Sequence, residues 1–331
     1  VVLIIIMIGA SLTGCSSHNQ PVSKSKNSIS GTIQISTLSS NQFLKEAVKK
    51  FESRHPNVKV EINAYLTPEM LKQNDSNKIV DNYISTLNTQ LMSGKGADII
   101  YVNALPYKKY AKRHMFADLN QLMKADPDYD AGKYYTNLFD AVEINHNLYT
   151  LPIEYLYDLL ESKNAIDLDD RSWNWQDFFK AAQTGMKDQE CYILPVSDED
   201  LFNIIFRKNY GHFVNEEKST ASFDSKEFIA LLRQCKDLAD KNQIAESSAK
   251  SSPAEGKPAL FRYHDGVSSI SALAASQDHL YRLPSDDKGR YCFGATMYAI
   301  NDASPNKTAA WEFLKFLISD DMQTSPPSDF R

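Results

Sequence analysis

Between Gly31 and Val102 the hydrophobic period of the chain switches back and forth, and this alternation narrows the fold more than any other feature. Thr32, Ile33, Gln34, Ile35 and Ser36 alternate with period two, which predicts a strand, because successive side chains of a strand point to opposite faces. Leu44, Ala47, Val48 and Phe51 recur at helical spacing, and Pro56 marks the stop of that helix. Val58, Val60, Ile62 and Ala64 alternate again. Ile79, Tyr83, Ile84, Leu87 and Leu91 then make one apolar face of a second helix, over 79–92. Residues 97–102 are a short apolar run after Gly94-Lys95-Gly96, the pattern of a parallel strand buried on both faces. A β-α-β-α-β series of this kind builds an open α/β sheet with right-handed crossovers.

Later segments keep the mixed pattern. A helix is expected over 173–187, and another over 225–241, where Asp224 and Glu227 resemble a capping box. Within the latter, Phe228, Leu231, Leu232, Cys235 and Leu238 form an apolar stripe that makes Cys235 a core residue. Residues 247–258 are small and polar and read as a loop or linker. Ser304-Pro305 supplies an N-cap and a proline at the first helical position, ahead of the stripe Ala310, Phe313, Leu314 and Leu317. No internal repeat is visible. A chain of 331 residues, 42% hydrophobic, is long enough for two domains with sizeable cores.

The first eight residues are an unbroken apolar run, and Leu12-Thr13-Gly14-Cys15 follows closely. The run is too short for a permanent membrane helix and fits the apolar region of a signal peptide. Leu12-Thr13-Gly14-Cys15 resembles the bacterial lipobox, in which the cysteine is lipidated and becomes the new N-terminus, so Cys15 is the expected site of lipid attachment. The polar stretch 16–30 cannot bury apolar surface and reads as a tether. With no initiator methionine ahead of Val1, the sequence is expected to open inside its signal peptide. Cys191, Cys235 and Cys292 show no C-x-x-C and no zinc spacing, and a Cys191–Cys292 disulfide stays open.

A formal net charge of −6 with no dense Lys/Arg block argues against a nucleic-acid partner, since phosphate binding needs clustered cations. The chain carries no G-x-S-x-G, H-E-x-x-H, Walker or dinucleotide-binding glycine motif, so no catalytic residue, metal ligand or cofactor is expected. Asp126, Asp128 and Asp130 have calcium-loop spacing, but Ala131 and Asn137 stand where that loop needs glycine and glutamate, and a solvated helix-capping turn is the better reading. Ligands of open α/β sheets bind beyond the carboxyl ends of the strands. Candidate loops are therefore Leu38-Ser39-Ser40 and Tyr101-Val102-Asn103, which makes Ser39, Tyr101 and Asn103 candidate ligand contacts.

From the lipobox to about Gln323 the sequence resembles the family-one extracellular solute-binding proteins, the class that includes maltose-binding protein. The carriers are Phe51-Glu52-Ser53-Arg54-His55-Pro56-Asn57-Val58-Lys59-Val60, Leu91-Met92-Ser93-Gly94-Lys95-Gly96-Ala97-Asp98-Ile99-Ile100, Leu148-Tyr149-Thr150-Leu151-Pro152-Ile153, Trp173-Asn174-Trp175-Gln176-Asp177-Phe178 and Ser304-Pro305-Asn306-Lys307-Thr308-Ala309-Ala310-Trp311-Glu312-Phe313-Leu314. The resemblance implies a two-lobed periplasmic-binding-protein-like α/β fold of type II with a hinge. Lobe 1 would comprise 31–151 and 285–331, and lobe 2 would comprise 152–284, with crossings at Pro152 and Leu283-Pro284. It implies a small polar solute of the carbohydrate class held between the lobes, with Glu154, Tyr155, Tyr263 and Asp265 lining the cleft. Arg262-Tyr263-His264-Asp265 and Gly294-Ala295-Thr296 are the segments concerned, although Arg262 and Asp265 can also be read as a surface pair. Trp173 and Trp175 are expected to pack at a helix entry and not to serve as a sugar platform. The implied setting is a monomeric lipoprotein anchored on the outer face of the cell membrane, working with the permease subunits of an ABC importer. A ligand-sensing surface lipoprotein and a lipid-anchored glycosidase are the alternatives. The family continues past a segment like 316–323 into further helices, so either the sequence is truncated or the family architecture is incomplete here.

Overall fold

The computed structural model describes residues 29–72, 76–167, 169–186, 191–215, 218–244, 258–267, 278–284 and 292–324. Cys15 with its apolar leader, the tether up to residue 28, most of the 247–258 linker and the side chain of Cys292 lie outside the described residues.

The alternating pattern forms as expected. Strand β1 (Gly31–Thr37) leads into helix α1 (Gln42–Arg54), then strand β2 (Val58–Ala64), helix α2 (Ser76–Met92) and strand β3 (Ile99–Tyr101). Helix α1 starts where the Asn41 side chain accepts the Leu44 N–H at 2.9 Å, which satisfies one of the donors a helix start leaves open. Three short helices follow: α3 (Tyr107–Lys112), α4 (Leu119–Ala125) and α5 (Thr136–Asp140). The twelve-residue strand β4 (Leu151–Ser162) comes next. Beyond it lie α6 (Trp175–Met186), α7 (Asp198–Lys208), α8 (Tyr210–Phe213), a small hairpin of β5 (Val214–Asn215) and β6 (Thr220–Ala221), and α9 (Lys226–Asp240). Strands β7 (Arg262–Val267), β8 (His279–Arg282) and β9 (Cys292–Ile300) precede helices α10 (Lys307–Leu317) and α11 (Asp320–Gln323).

One sheet runs in the order β2-β1-β3-β9-β4-β7, with β8 also on β4. β1 pairs in parallel with β2 and β3, whereas β9 is antiparallel to both β3 and β4. The buried side chains fall into separate cores. Ile33, Ile35, Phe51, Leu151, Ile153, Trp311 and Phe313 belong to one, and Tyr83, Leu87, Ile100, Val102 and Met297 to a second that also draws on β3 and β9. Leu160, Trp173, Phe178, Ile204, Phe261 and Leu283 form a third. β4 thus carries Ile153 in one core and Leu160 in another, and at about 3.3 Å per residue it is roughly 40 Å long.

Several local readings are refined. Trp173 and Trp175 are buried in the third core, as helix-entry packing requires, and Asn174 and Asp177 cap each other's backbone N–H groups at 3.0 and 3.1 Å. The last long helix begins at Lys307 and not at Pro305. Ser304 is drawn away because its hydroxyl donates to buried Asp98 at 2.6 Å while accepting the Asn306 N–H at 2.9 Å. Asp126 is not a solvated turn residue: its carboxylate accepts from Trp311 Nε1 at 2.9 Å and Lys315 Nζ at 2.5 Å. Arg262 and Asp265 do not pair with each other, since Arg262 donates to Glu161 at 3.2 Å and Asp265 faces Arg207. Cys235 is a buried core thiol whose pKa burial pushes up to about 12, whereas Leu232, on the expected apolar stripe, is exposed.

Candidate functional site

Two groups of polar side chains are built on β4. The first sits where β1 and β3 end. Tyr101, the last residue of β3, is paired across the sheet with Tyr298, and their rings meet edge to face at 5.8 Å. Tyr83 reaches the same place from α2: its ring is 5.3 Å from that of Tyr65, and its buried hydroxyl, near Ser36, has no hydrogen-bond partner among the described residues. The Tyr298 hydroxyl lies near Thr37, at the carboxyl end of β1. Burial raises the pKa of all three phenols, that of Tyr83 to about 12, and the charge of Glu154 raises that of Tyr101 further. The phenols therefore stay neutral near neutral pH and keep hydroxyl hydrogens to donate. Glu154 itself accepts the Thr296 hydroxyl at 2.8 Å.

The second group lies four residues further along β4, roughly 13 Å away along the strand. Asp158 is 4% exposed and its carboxylate meets Lys208 Nζ at 2.8 Å and the Gly266 N–H at 3.1 Å. Tyr263 donates its hydroxyl to Asp265 at 3.2 Å and accepts from Arg207 at 3.1 Å, with Arg207 and Asp265 3.5 Å apart. Burial works against the Arg207 charge, but Tyr263, Asp265 and Asp158 around it hold its pKa above the usual value. Burial, then the charges of Asp158 and Asp265, raise the pKa of Tyr263 strongly. A wall of this kind offers guanidinium donors beside a carboxylate acceptor.

The candidates named from sequence are placed unequally. Tyr101 and Glu154 belong to the first group, and Tyr263 and Asp265 to the second. Asn103 is beside the first group, but both ends of its amide are taken by backbone: Nδ2 donates to the Ala295 carbonyl at 2.6 Å and Oδ1 accepts the Met297 N–H at 2.7 Å. Tyr155 is half-buried and, by strand alternation, points to the face of β4 opposite Glu154. Ser39 is exposed after β1, where its carbonyl accepts the Thr37 hydroxyl at 2.8 Å. Next to it the Ser40 hydroxyl is shielded from solvent and has no hydrogen-bond partner among the described residues, which leaves a donor for a ligand or water to satisfy. Tyr83, Tyr298 and Arg207 are not found from sequence, and Thr296 is found only as part of the Gly294-Ala295-Thr296 segment that the resemblance implies. Tyr83 was legible only as a member of a core stripe, and Arg207 sits at a helix end with no motif around it.

The family of bacterial extracellular solute-binding proteins matches residues 36–324. Among curated proteins no sequence match was found. Solved structures are similar at low identity. An extracellular solute-binding protein of family 1 from Alicyclobacillus acidocaldarius is 15% identical, with 90% of this chain and 76% of that chain covered and a TM-score of 0.63. An ABC substrate-binding protein from Listeria monocytogenes, in complex with cycloalternan, is 17% identical over 88% of this chain and 76% of that one, with a TM-score of 0.52. An ABC transporter solute-binding protein from Thermotoga lettingae, bound with α-D-tagatose, is 20% identical over 89% and 78%, with a TM-score of 0.51.

Proposed function

The chain belongs to the bacterial extracellular solute-binding family, and on that premise we propose that it captures a carbohydrate between two lobes and hands it to an ABC permease. Its members bind solutes and are not enzymes, and the fold is the two-lobed α/β fold of that class. The observation that carries the reading is β4, which enters two of the cores and bears one carboxylate of each polar group, Glu154 and Asp158. Tyrosine rings offer stacking surface for the apolar faces of a sugar, while Glu154, Asp265 and Arg207 accept from and donate to hydroxyls. Cycloalternan and α-D-tagatose, held by two of the similar structures, are carbohydrates, which supports the class. Lobe 1 is taken as 31–151 and 285–331 and lobe 2 as 152–284, and the ligand closes them by contacting both. In this reading the protein works as a monomer, held by lipid on Cys15 at the outer face of the cell membrane.

A thermal-shift panel of cycloalternan, maltotriose, D-tagatose and tri-N-acetylchitotriose tests the class, because a ligand that binds only the folded state raises the melting temperature. At least one member is expected to shift it. Calorimetric titration of that member should then show five- to more than a hundredfold loss in Tyr101→Ala, Glu154→Ala and Asp265→Ala, from about 1–3 kcal/mol per lost buried bond. A panel without any shift would overturn the carbohydrate class, and undiminished affinity in all three variants would overturn the site. For the anchor, Cys15→Ser should abolish processing and membrane retention; retention unchanged would refute it.

A further inference from the structure

We infer that Tyr83 is a specificity-determining residue of the first polar group: its buried hydroxyl, unmet among the described residues, receives an uncharged hydroxyl of the captured ligand at the carboxyl ends of β1 and β3. This role rests on the interlobe capture proposed above and names the chemical group that this end of the site selects.

Tyr83, Leu87 and Leu91 recur at every fourth residue of α2 and are buried in one core with Ile100, Val102 and Met297. Such a position needs only an apolar side chain, and a phenylalanine would fill it with the same ring. The hydroxyl is the part that the core does not use. Tyr83 is 2% exposed, and its oxygen has no hydrogen-bond partner among the described residues. Burying a hydroxyl unmet costs free energy, so its presence in a folded core requires a reason. The unmet hydroxyls of Thr150 and Ser162 sit on short side chains that can reach a backbone carbonyl by a turn about χ1. A phenol has no such freedom, because the rigid ring fixes where its oxygen lies. The unmet Trp175 Nε1 lies in the third core.

The place of the oxygen supplies the reason. Ser36 is opposite Ile100 in the β1–β3 register, on the face that packs with Tyr83. Tyr83 approaches from that face, and its hydroxyl lies near Ser36, one residue before β1 ends. Tyr101 and Tyr298, paired across β3 and β9, pack with the core on the other face. The two faces merge where the strands stop, and there the Tyr83 phenol interacts with both of the others. Ligands of open α/β sheets bind at this end of the strands. Tyr65 and Tyr101 beside it are only half-buried, so their rings can turn to admit one small group. Charge defines that group. Burial keeps the phenol protonated, so it has a hydrogen to donate. An ammonium has no lone pair to accept it, and a carboxylate would enter the field of Glu154, which already acts on Tyr101. A hydroxyl accepts the phenol hydrogen and keeps its own for a neighbouring oxygen.

The experiment is Tyr83→Phe in the full chain, read without and with ligand. Without ligand the variant should melt within about 1 °C of wild type or higher, because it loses an unmet hydroxyl and no bond. With whichever of the four panel sugars binds wild type, calorimetric affinity should fall about tenfold. A hydroxyl held by Ser36 or by a resident water would give the reverse, a free chain that melts about 2 °C lower or more and an unchanged affinity. A lower melting temperature in the free variant, or undiminished affinity, overturns the inference. Deoxy analogues of the same sugar identify the group received: at one position, loss of the hydroxyl should cost wild type about tenfold and cost Tyr83→Phe little, since both changes remove one bond. A series without such a position also overturns it. If no panel sugar binds wild type, the carbohydrate reading fails and the receiving role with it, whereas the melting of the free chain still decides whether the Tyr83 hydroxyl is unmet.

Discussion

Lys208→Met should destabilise the protein by about 3 kcal/mol, because it strands a carboxylate that β4 cannot turn outward. Asp158 is 4% exposed and Lys208 15%, and their atoms meet at 2.8 Å. Removing one partner of a buried ion pair typically costs about 3–5 kcal/mol. The low end applies, since the Gly266 N–H still donates to Asp158 and Arg207 carries its charge nearby. Asp158→Asn should cost less, about 1–2 kcal/mol, because an amide oxygen can still accept from Gly266 and the lysine stem can extend toward water. The double variant replaces the pair by two uncharged groups and should lose only about 1–2 kcal/mol, well short of the summed single losses. Urea unfolding followed by tryptophan fluorescence suits the case, since Trp173 and Trp175 belong to the same core as Leu160 on β4. A Lys208→Met protein within 1 kcal/mol of wild type, or a double variant whose loss equals the sum, would refute the reasoning.

Two further outcomes are expected. Charge selectivity should follow Glu154: like charges about 5 Å apart at an effective dielectric near 20 repel by about 3 kcal/mol, so a trigalacturonate should bind at least tenfold more weakly than a neutral trisaccharide of the panel, and Glu154→Gln should narrow the gap in calorimetry. Equal affinities in wild type would exclude this. Burial opposes the charges of Asp126 and Lys315, yet the hydrogen bonds between them, with that from Trp311, leave Asp126 below and Lys315 above its ordinary pKa. The depressed carboxylate gives stability that is present above about pH 4 and lost as pH falls through its folded value, and the raised lysine gives stability lost only at strongly alkaline pH. Asp126→Asn should lower stability at pH 7 by about 1.5–3 kcal/mol and flatten the acid limb of a melting-temperature profile, and an unchanged limb would contradict the assignment.

What the sequence revealed follows from what local periodicity can encode. The β1-to-β3 series was legible because each element writes its own period into neighbouring residues, and Tyr101 at the carboxyl end of β3 followed from the general placement of ligands in such sheets. The Glu154 and Asp265 segments came through the family resemblance alone. The partnerships that define the site join residues far apart in the chain: Thr296 with Glu154 across 142 positions, Asn103 with Ala295 across 192, Arg207 with Tyr263 across 56. No period or cap in the sequence marks such pairs. Asn103 shows the limit most plainly: an asparagine after a strand end suits a ligand contact, and only the bulge at Ala295 reveals that both of its amide atoms are already committed.

Strand alternation also explains why Glu154 and Tyr155, adjacent in sequence, divide between roles. Neighbours on a strand face opposite sides, so a contiguous motif can place only every second residue against one ligand. Glu154 and Asp158, four apart with no extra β4 residue between them, fall on the same side, and the bulges that interrupt the pairing lie on β4 before Glu154, on β9 at Ala295 and on β7 near Gly266. Had the β4 bulge fallen between Glu154 and Asp158, one carboxylate would have turned to the opposite face. The position of that bulge, whose Ile153 carbonyl accepts from Gln323, therefore sets Glu154 and Asp158 on one face of β4, which the proposed capture of one ligand by both polar groups requires.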